Sequence, residues 1–539
     1  MASIEENSEL FHQKEAIDGS TNSNSTQGFS DVIQPDFIMH EEISENSSAQ
    51  ITAGEQINCS QGYCIDIESE LILTRLPEIV LVHIMEYLDL TARYYLSTTC
   101  RLFYDLFSHP QLWQIAHISL LTQGERRGRN PFQWKLQAVM HHTMAMIVQK
   151  FCHLFQHLSL ELSEYIQPFD NDSKMLLEHL AHECRLESLS IKLGPLTSSD
   201  NEISHVSRRL SNYQDLPLVV CLVQNATRLK RLSLVSWPFF ESIGDNKDIF
   251  SALVNNEKLI SLESLNFFFP ELKFSQWTDR IPKLPSPELT LKVVSQLKNV
   301  TQLALRSPML SDELILELSK KKVPLLSFKI LVMYSRDSVL MKGFKVPDIS
   351  SKAWTSLRQS SPELAIEYFV FNRVPQEQLG LMLQPEVQLS SINILTFGRC
   401  DKELVTILAE RYHRTLRRFV CLCDSPTCDE ALLNLVRSCD LTHLIYHGDI
   451  SYKTVENLAT LVKDQGQEIE SFEFKEKNIN TDEEYAEDVV VARDEESNEY
   501  YLPALKSWHV NATERIKLLD AMCEHVSICL GSHWRPITS

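Results

Sequence analysis

Glycine is scarce in this 539-residue sequence, and its scarcity narrows the classes of protein the chain can belong to. Only 14 residues are glycine, whereas sites that cradle phosphate groups need glycine where the backbone approaches the ligand closely. The motifs GxGxxG, GxxxxGK[ST], HExxH and GxSxG do not occur. We therefore assign no catalytic residue and predict a protein that is not an enzyme and needs no cofactor.

A secretory leader and a membrane-spanning run are also missing from the sequence. The first residues, MASIEENSELFHQKE, are polar and acidic, unlike a signal peptide. No apolar run reaches the roughly 18 residues that a bilayer requires. The 13 cysteines are scattered and do not follow the spacing of a secreted disulfide scaffold. We expect a cytoplasmic or nuclear protein without a membrane partner.

Basic residues are outnumbered by acidic ones. The chain has 51 Lys and Arg against 72 Asp and Glu, which gives a formal net charge of −21. Such a chain repels the phosphate backbone of nucleic acids unless it carries a local basic patch. We therefore predict no nucleic-acid partner.

What the sequence does contain is a repeat of the form L-x-x-L-x-L, in which the apolar positions tolerate substitution. Several copies lie roughly 25 to 28 residues apart, within the range of leucine-rich repeats, and others are further apart. The copies are FQHLSL (155–160), LESLSI (186–191), LKRLSL (229–234), LESLNF (262–267), VTQLAL (300–305), LLSFKI (325–330), LSSINI (389–394), LRRFVC (416–421), LTHLIY (441–446), IESFEF (469–474) and LKSWHV (505–510).

Each copy predicts a short strand with one buried face, and amphipathic stretches such as DKELVTILAERYH (401–413) predict helices between the strands. Stacked units share a core that a single unit cannot form. The predicted fold is α/β: a curved solenoid over 152–535, with parallel strands on the concave face and helices on the convex face. Residues 354–372 form a degenerate copy. Insertions are expected at 194–217, 271–289 and 478–500, the last of them strongly acidic.

Ahead of the repeats, residues 76–113 read LPEIVLVHIMEYLDLTARYYLSTTCRLFYDLFSHPQLW. This segment resembles an F-box, the helical module that binds the Skp adaptor in Skp–cullin–F-box ubiquitin ligases. Pro77 suits the start of a helix, and Val80, Ile84 and Leu88 recur every four residues as an apolar stripe. We predict a disordered tail at 1–68, an F-box at 71–118 and a helical linker at 119–151.

The resemblance implies a receptor that holds the Skp adaptor, and through it a cullin, while its repeats bind a protein substrate. The adaptor-binding residues that it implies are Leu76, Pro77, Glu78, Val80, Ile84, Leu88, Leu96, Cys100, Leu112 and Trp113. The chain departs from the family pattern at Ile79, Met85 and Phe103. An alternative therefore stays open, a non-degradative scaffold with a degenerate F-box.

Basic residues dominate the positions of the repeats that are expected on the concave face. They suggest that the substrate presents an acidic or phosphorylated segment, because Arg pairs bidentately with such groups. Phe268, Leu331, Leu395 and Leu422 are expected there as exposed apolar neighbours. The candidate substrate-binding residues are Lys192, Arg231, Phe268, Arg306, Lys329, Arg418 and Lys475.

Two further features allow two interpretations each. Cys421, Cys423 and Cys428 lie near Cys439, His443 and His447, a composition found in zinc sites, but Cys421 also occupies a core position of its repeat and no CxxC pair occurs, so we predict no metal. Trp534 is either a tail that anchors a partner or a packed capping residue.

Overall fold

The computed structural model describes residues 76–120, 144–162, 171–193, 216–235, 249–267, 285–334, 346–370, 374–395, 398–480 and 512–538. Every described residue belongs to one unit, Glu68–Ser539, and the predicted disordered tail at 1–68 lies outside the described residues.

Three short helices open the described chain. They are α1 (Glu78–Glu86), α2 (Leu90–Ser97) and α3 (Arg101–Phe107), and a 3₁₀ turn at Pro110–Trp113 follows them. Asp89 caps α2, because its side chain accepts a hydrogen bond from the amide of Ala92 at 2.7 Å.

A parallel sheet of twelve strands follows within the described residues, and the strands lie side by side in chain order. This order is that of a solenoid, in which each unit packs only against its neighbours. The strands are β1 (Ile115–Leu120), β2 (His157–Leu162), β3 (Ser188–Leu193), β4 (Arg231–Val235), β5 (Ser264–Asn266), β6 (Gln302–Arg306), β7 (Ser327–Val332), β8 (Ala365–Val370), β9 (Leu389–Ile394), β10 (Arg418–Cys421), β11 (His443–Tyr446) and β13 (Ser471–Phe474). Two short strands, β12 (Ile450–Ser451) and β14 (Ile479–Asn480), form a separate pair.

Helices connect the strands and pack on one side of the sheet. They are α4 (Asn171–Glu183), α5 (Leu216–Asn225), α6 (Ile249–Asn255), α7 (Pro287–Gln296), α8 (Asp312–Ser319), α9 (Ser351–Ser360), α10 (Gln376–Met382), α11 (Lys402–Arg411), α12 (Asp429–Ser438), α13 (Tyr452–Asp464) and α14 (Ala512–Leu530). Their apolar residues share one continuous core with alternate residues of the strands. The predicted α/β solenoid is therefore confirmed.

The observed elements differ from the predicted layout in three places. The sheet begins with β1, ahead of residue 152. The repeat pattern does not predict this strand, because its buried positions are Ala116 and Ile118 instead of leucine. The degenerate copy at 354–372 contains a regular strand, β8, in which Ile366, Tyr368 and Val370 are buried in place of leucines. The ends of the predicted insertions are ordered: α5 begins at Leu216, α7 at Pro287, and β14 lies at 479–480.

The carbonyl groups at the ends of several helices accept hydrogen bonds from a side chain of the following repeat. Lys321 Nζ donates to the carbonyls of Val294 and Leu297 at 2.6 and 2.8 Å, where α7 ends. Asn256 Nδ2 donates to the carbonyls of Val223 and Ala226 at the end of α5. The same device recurs with Asn225 on Ala181, Arg411 on Leu383 and Gln467 on Cys439. Side chains here satisfy carbonyls that glycine-containing turns often satisfy, which suits a chain with 14 glycines.

The last strand of the sheet is covered by the C-terminal segment. Trp534 is buried, and its indole Nε1 donates to the carbonyl of Phe472 at 2.5 Å. The amide of Ile537 donates to the carbonyl of Phe474 at 2.9 Å, which extends the backbone pairing by one bridge. Trp534 is thus a packed capping residue, and it closes a strand edge that would otherwise be open to pairing.

Candidate interaction surfaces

The first helix has apolar residues on two sides, and only one side is packed. Leu81, Val82 and Met85 are buried in the core, at 2%, 0% and 0% exposure. Ile79, Val80 and Ile84 are 51%, 37% and 40% exposed. We call these three residues the exposed apolar face of α1. Its exposure is unusual for a group of aliphatic residues on one short helix, and such patches mark interaction sites.

Further large side chains extend the exposed surface of this helical region. Three tyrosines, Tyr87, Tyr95 and Tyr104, are largely exposed, and tyrosine is enriched at protein interfaces. Of the predicted adaptor-binding residues, five are exposed and three are partly buried. The exposed ones are Pro77, Glu78, Val80, Ile84 and Cys100, and the partly buried ones are Leu76, Leu88 and Leu96.

Leu112 and Trp113 do not belong to that surface, which corrects the prediction. Both are buried, at 1% and 0% exposure. Trp113 donates from Nε1 to the carbonyl of Phe107 at 2.7 Å and stacks on Phe151, with ring centroids 4.2 Å apart. The pair closes the helical region against the first repeat, so it stabilises the fold and cannot contact a partner directly.

Arg93 organises the same region, and the sequence pattern did not single it out. Its guanidinium is buried and donates to the carbonyls of Met85, Glu86 and Leu88 at 2.8 to 2.9 Å, and also to the carbonyl of Leu112. Burial lowers the pKa of Arg93, against the opposing effect of nearby carboxylates. The four carbonyls lie at the end of α1 and in the 3₁₀ turn, so one side chain fixes both relative to α2.

The departures from the F-box pattern fall in different environments. Met85 is fully buried and Phe103 is half-buried, whereas Ile79 is exposed. The change at Met85 is absorbed within the core, where apolar swaps of similar volume are tolerated. The departure at Ile79 lies on the surface and contributes to the exposed apolar face.

The second surface is the face of the sheet opposite the helices, which we call the inner face. In β11 and β13 the residues alternate between half-buried and buried, so His443, Ile445 and Glu473 lie on the inner face. Arg231 and Arg418 are exposed at the starts of β4 and β10, and Lys192, Lys329 and Lys475 are half-buried. Phe268 lies outside the described residues.

The prediction of an exposed Arg306 and an exposed Leu331 is wrong. Both are at 0% exposure. Arg306 ends β6, its Nε donates to the carbonyl of Phe267 at 3.3 Å, and burial places its pKa well below the ordinary value. The chain turns inward directly after it, since Ser307 is also buried and bonds the backbone of Met333. Leu395 and Leu422 are partly buried.

Several of the remaining inner-face charges have partners. Lys329 lies 3.3 Å from Glu367 on the neighbouring strand β8, whose sequence does not follow the leucine pattern. Lys192 is the register partner of Glu161, and Glu473 accepts a hydrogen bond from Ser471 at 2.6 Å. The broad basic surface expected from the sequence is therefore reduced to a few positions, of which Arg231 and Arg418 are the most exposed.

The cysteines of the zinc interpretation are buried. Cys421, Cys423, Cys428 and Cys439 are at most 1% exposed, as is Cys400, and the sulfur atoms of Cys421 and Cys423 lie 3.5 Å apart. No group of three or more His, Cys, Asp or Glu side chains in the described part of the chain is arranged to hold a metal ion. Buried cysteines of this kind behave as small apolar residues.

Comparison with known proteins gives one family match. The F-box-like family model matches residues 73–119. This segment is an F-box-like domain. It contains the exposed apolar face of α1, Arg93 and the buried pair Leu112 and Trp113. The chain therefore combines an F-box-like domain with an α/β solenoid.

The other comparisons add little. No curated protein matches the sequence. Among solved structures, TLR13 in its complex with ssRNA13 is similar, at 12% sequence identity and a TM-score of 0.27. The match covers 61% of this chain and 52% of the TLR13 chain, so it spans about half the length of that chain. No helix of the described residues is both long enough and apolar enough to cross a bilayer.

Proposed function

We propose that this chain is the substrate-recognition subunit of a Skp–cullin–F-box ubiquitin ligase. The F-box-like domain would bind the Skp adaptor, and the inner face of the solenoid would hold a protein substrate. The observation that carries the proposal is the exposed apolar face of α1, since three aliphatic side chains remain in water on the domain that resembles an adaptor-binding module.

No residue of the chain needs to perform chemistry in this role. A receptor raises the effective concentration of substrate lysines near a ubiquitin-conjugating enzyme held elsewhere in the complex. The absence of nucleophile and phosphate-binding motifs from the sequence agrees with such a role. The reaction would be protein ubiquitination, promoted by proximity.

The test is co-purification of the full chain with a Skp adaptor and a cullin. The variant is Val80→Asp with Ile84→Asp, because both side chains are exposed and the substitutions leave the core intact. Burying two carboxylates in an interface costs enough to reduce adaptor binding at least about 100-fold. The matched control is Ile260→Asp with Leu326→Asp, two comparably exposed aliphatic residues of the solenoid.

The proposal requires that wild type and control bring down both adaptor and cullin, and that the α1 variant bring down neither. Wild type that is folded but binds no adaptor would contradict it. A chain that binds the adaptor without a cullin would favour a non-degradative scaffold. Equal binding by the α1 variant would show that the adaptor contacts another surface.

A further inference from the structure

Three neighbouring strands begin with polar residues that lie in one row on the inner face. His157 of β2, Ser188 of β3 and Arg231 of β4 are successive register partners. The next residue of each strand is buried in the core, so alternation places these three side chains on the inner face. Arg231 is exposed, and His157 and Ser188 are half-buried.

The contact between the outer two residues fixes their hydrogen-bonding roles. Arg231 Nη2 lies 3.2 Å from His157 Nδ1. A guanidinium can only donate, so Nδ1 must accept, and the neutral imidazole then carries its proton on Nε2. The remaining guanidinium N–H groups, the imidazole Nε2–H and the Ser188 hydroxyl are therefore all available as donors in one row.

One acid, Glu187, interacts electrostatically with both His157 and Arg231. Glu187 lies beside the row, but its Oε2 accepts a hydrogen bond from Lys230 Nζ at 2.9 Å. Among the residues that the structure describes, no carboxylate forms a hydrogen bond or ion pair with Arg231 or His157. The arrangement differs at β7 and β8, where Lys329 is already paired with Glu367 at 3.3 Å.

The adjoining row of the inner face contains small polar side chains. Ser159, Ser190 and Ser233 are register partners on the same three strands, and Asn266 Nδ2 donates to the Ser233 hydroxyl at 3.1 Å. Their side chains are short, so the surface beside Arg231 is low and leaves room for an approaching chain. The hydroxyl groups can also donate to an anionic ligand.

We propose that His157, Ser188 and Arg231 form an anion-binding site that accepts one phosphate or carboxylate group from a segment of a partner protein. Neighbouring donors of one row that form no hydrogen bond with a carboxylate of the described residues are complementary to such a group, and Arg can engage it bidentately. A polyanion such as nucleic acid is disfavoured by the net charge of −21. The site rests on the proposed function, since the partner would be the ubiquitination substrate.

Peptide selection by the full chain tests the site. The probes are three degenerate 12-residue libraries whose central residue is fixed as phosphoserine, glutamate or serine. We expect wild type to prefer the phosphoserine or the glutamate library over serine, and inorganic phosphate to compete. Preference for one of the first two libraries would identify the group as phosphate or carboxylate.

Two substitutions in the row and one control separate the site from a general charge effect. Arg231→Gln should weaken binding of the selected peptides about 10- to 100-fold, as for the loss of a hydrogen bond to a charged group. Ser188→Ala should weaken it about 2- to 10-fold. Arg228→Gln removes the same charge three residues away, at an exposed turn position, and should leave binding unchanged.

The proposal is overturned if wild type selects the three libraries equally, or if Arg231→Gln and Arg228→Gln have the same effect. Either result would leave adaptor binding through α1 untouched, so it would not count against the receptor function. Loss of adaptor binding with intact peptide selection would have the opposite meaning.

Discussion

Replacing Lys321 by methionine should destabilise the solenoid. Lys321 Nζ donates to three carbonyls of the preceding repeat, those of Val294, Ser295 and Leu297, at 2.6, 3.2 and 2.8 Å. Methionine retains the apolar stem and removes the donor. The substitution therefore tests whether side chains of one repeat stabilise the helix end of the repeat before it.

The expected loss follows from two opposing effects. Hydrogen bonds to a charged group contribute roughly 1.5 to 3 kcal/mol net. Burial lowers the pKa of Lys321, with Glu317 acting in the opposite direction, so the folded state also bears a desolvation cost that methionine would relieve. We expect a net destabilisation of about 1 to 2 kcal/mol, since the carbonyls that lose their donor are partly buried.

Urea unfolding followed by circular dichroism measures the effect, with Lys320→Met as the control. Lys320 is the adjacent residue, its side chain is 72% exposed, and it lies 3.6 Å from Glu317. An exposed pair of this kind contributes little, so the control should unfold within about 0.5 kcal/mol of wild type. Equal midpoints for the two variants would refute the reasoning that repeats are joined through these helix ends.

Three other substitutions have defined outcomes. Trp113→Ala should abolish adaptor binding by unfolding the F-box-like domain, at a cost of about 3 to 5 kcal/mol, which near-UV circular dichroism would detect as lost aromatic signals. Arg93→Met leaves four carbonyls without their donor and should cost about 3 kcal/mol in a urea titration. His447 has a pKa lowered by burial and by Lys475 from its usual 6.5, so the folded state resists a proton that the unfolded state accepts. Stability should therefore fall as the pH drops below 6.5 toward the folded-state pKa, and thermal melts of His447→Gln should lack that part of the decline.

The repeat pattern predicts the strands well because burial on one face imposes a period of two. Leucine is only the commonest solution to that requirement, however. The strand AIEYFV (365–370) buries Ile366, Tyr368 and Val370, and IAHISL (115–120) buries Ala116 and Ile118. A search for leucine misses both strands, whereas a search for alternation would find them. The alternation of apolar residues therefore predicts these strands, whereas the presence of leucine does not.

The exposure of inner-face residues is harder to predict. The period of two shows to which face of the sheet a side chain points, but it does not show whether solvent reaches that side chain. Arg306 occupies the position after the last core residue of β6, as Lys192 does in β3, yet Arg306 is fully buried and Lys192 is half-buried. The difference arises from the 3₁₀ turn Ser307–Met309, which follows β6 directly and is buried at Ser307 and Met309. Sequence assigns a residue to a face, but the path of the next loop decides whether solvent reaches it.

The F-box-like segment shows why a family motif does not by itself give a binding site. Its characteristic residues serve two purposes, since Trp113 holds the interior together while Val80 remains exposed at 37%. Helix α1, EIVLVHIME, is apolar on both sides, and one core can cover only one of them. Leu81, Val82 and Met85 lie on the side that packs on the core, and they stabilise the fold. The other side is exposed to water, which is why we propose that the adaptor binds there, whereas the buried motif residues Leu112 and Trp113 stabilise the domain.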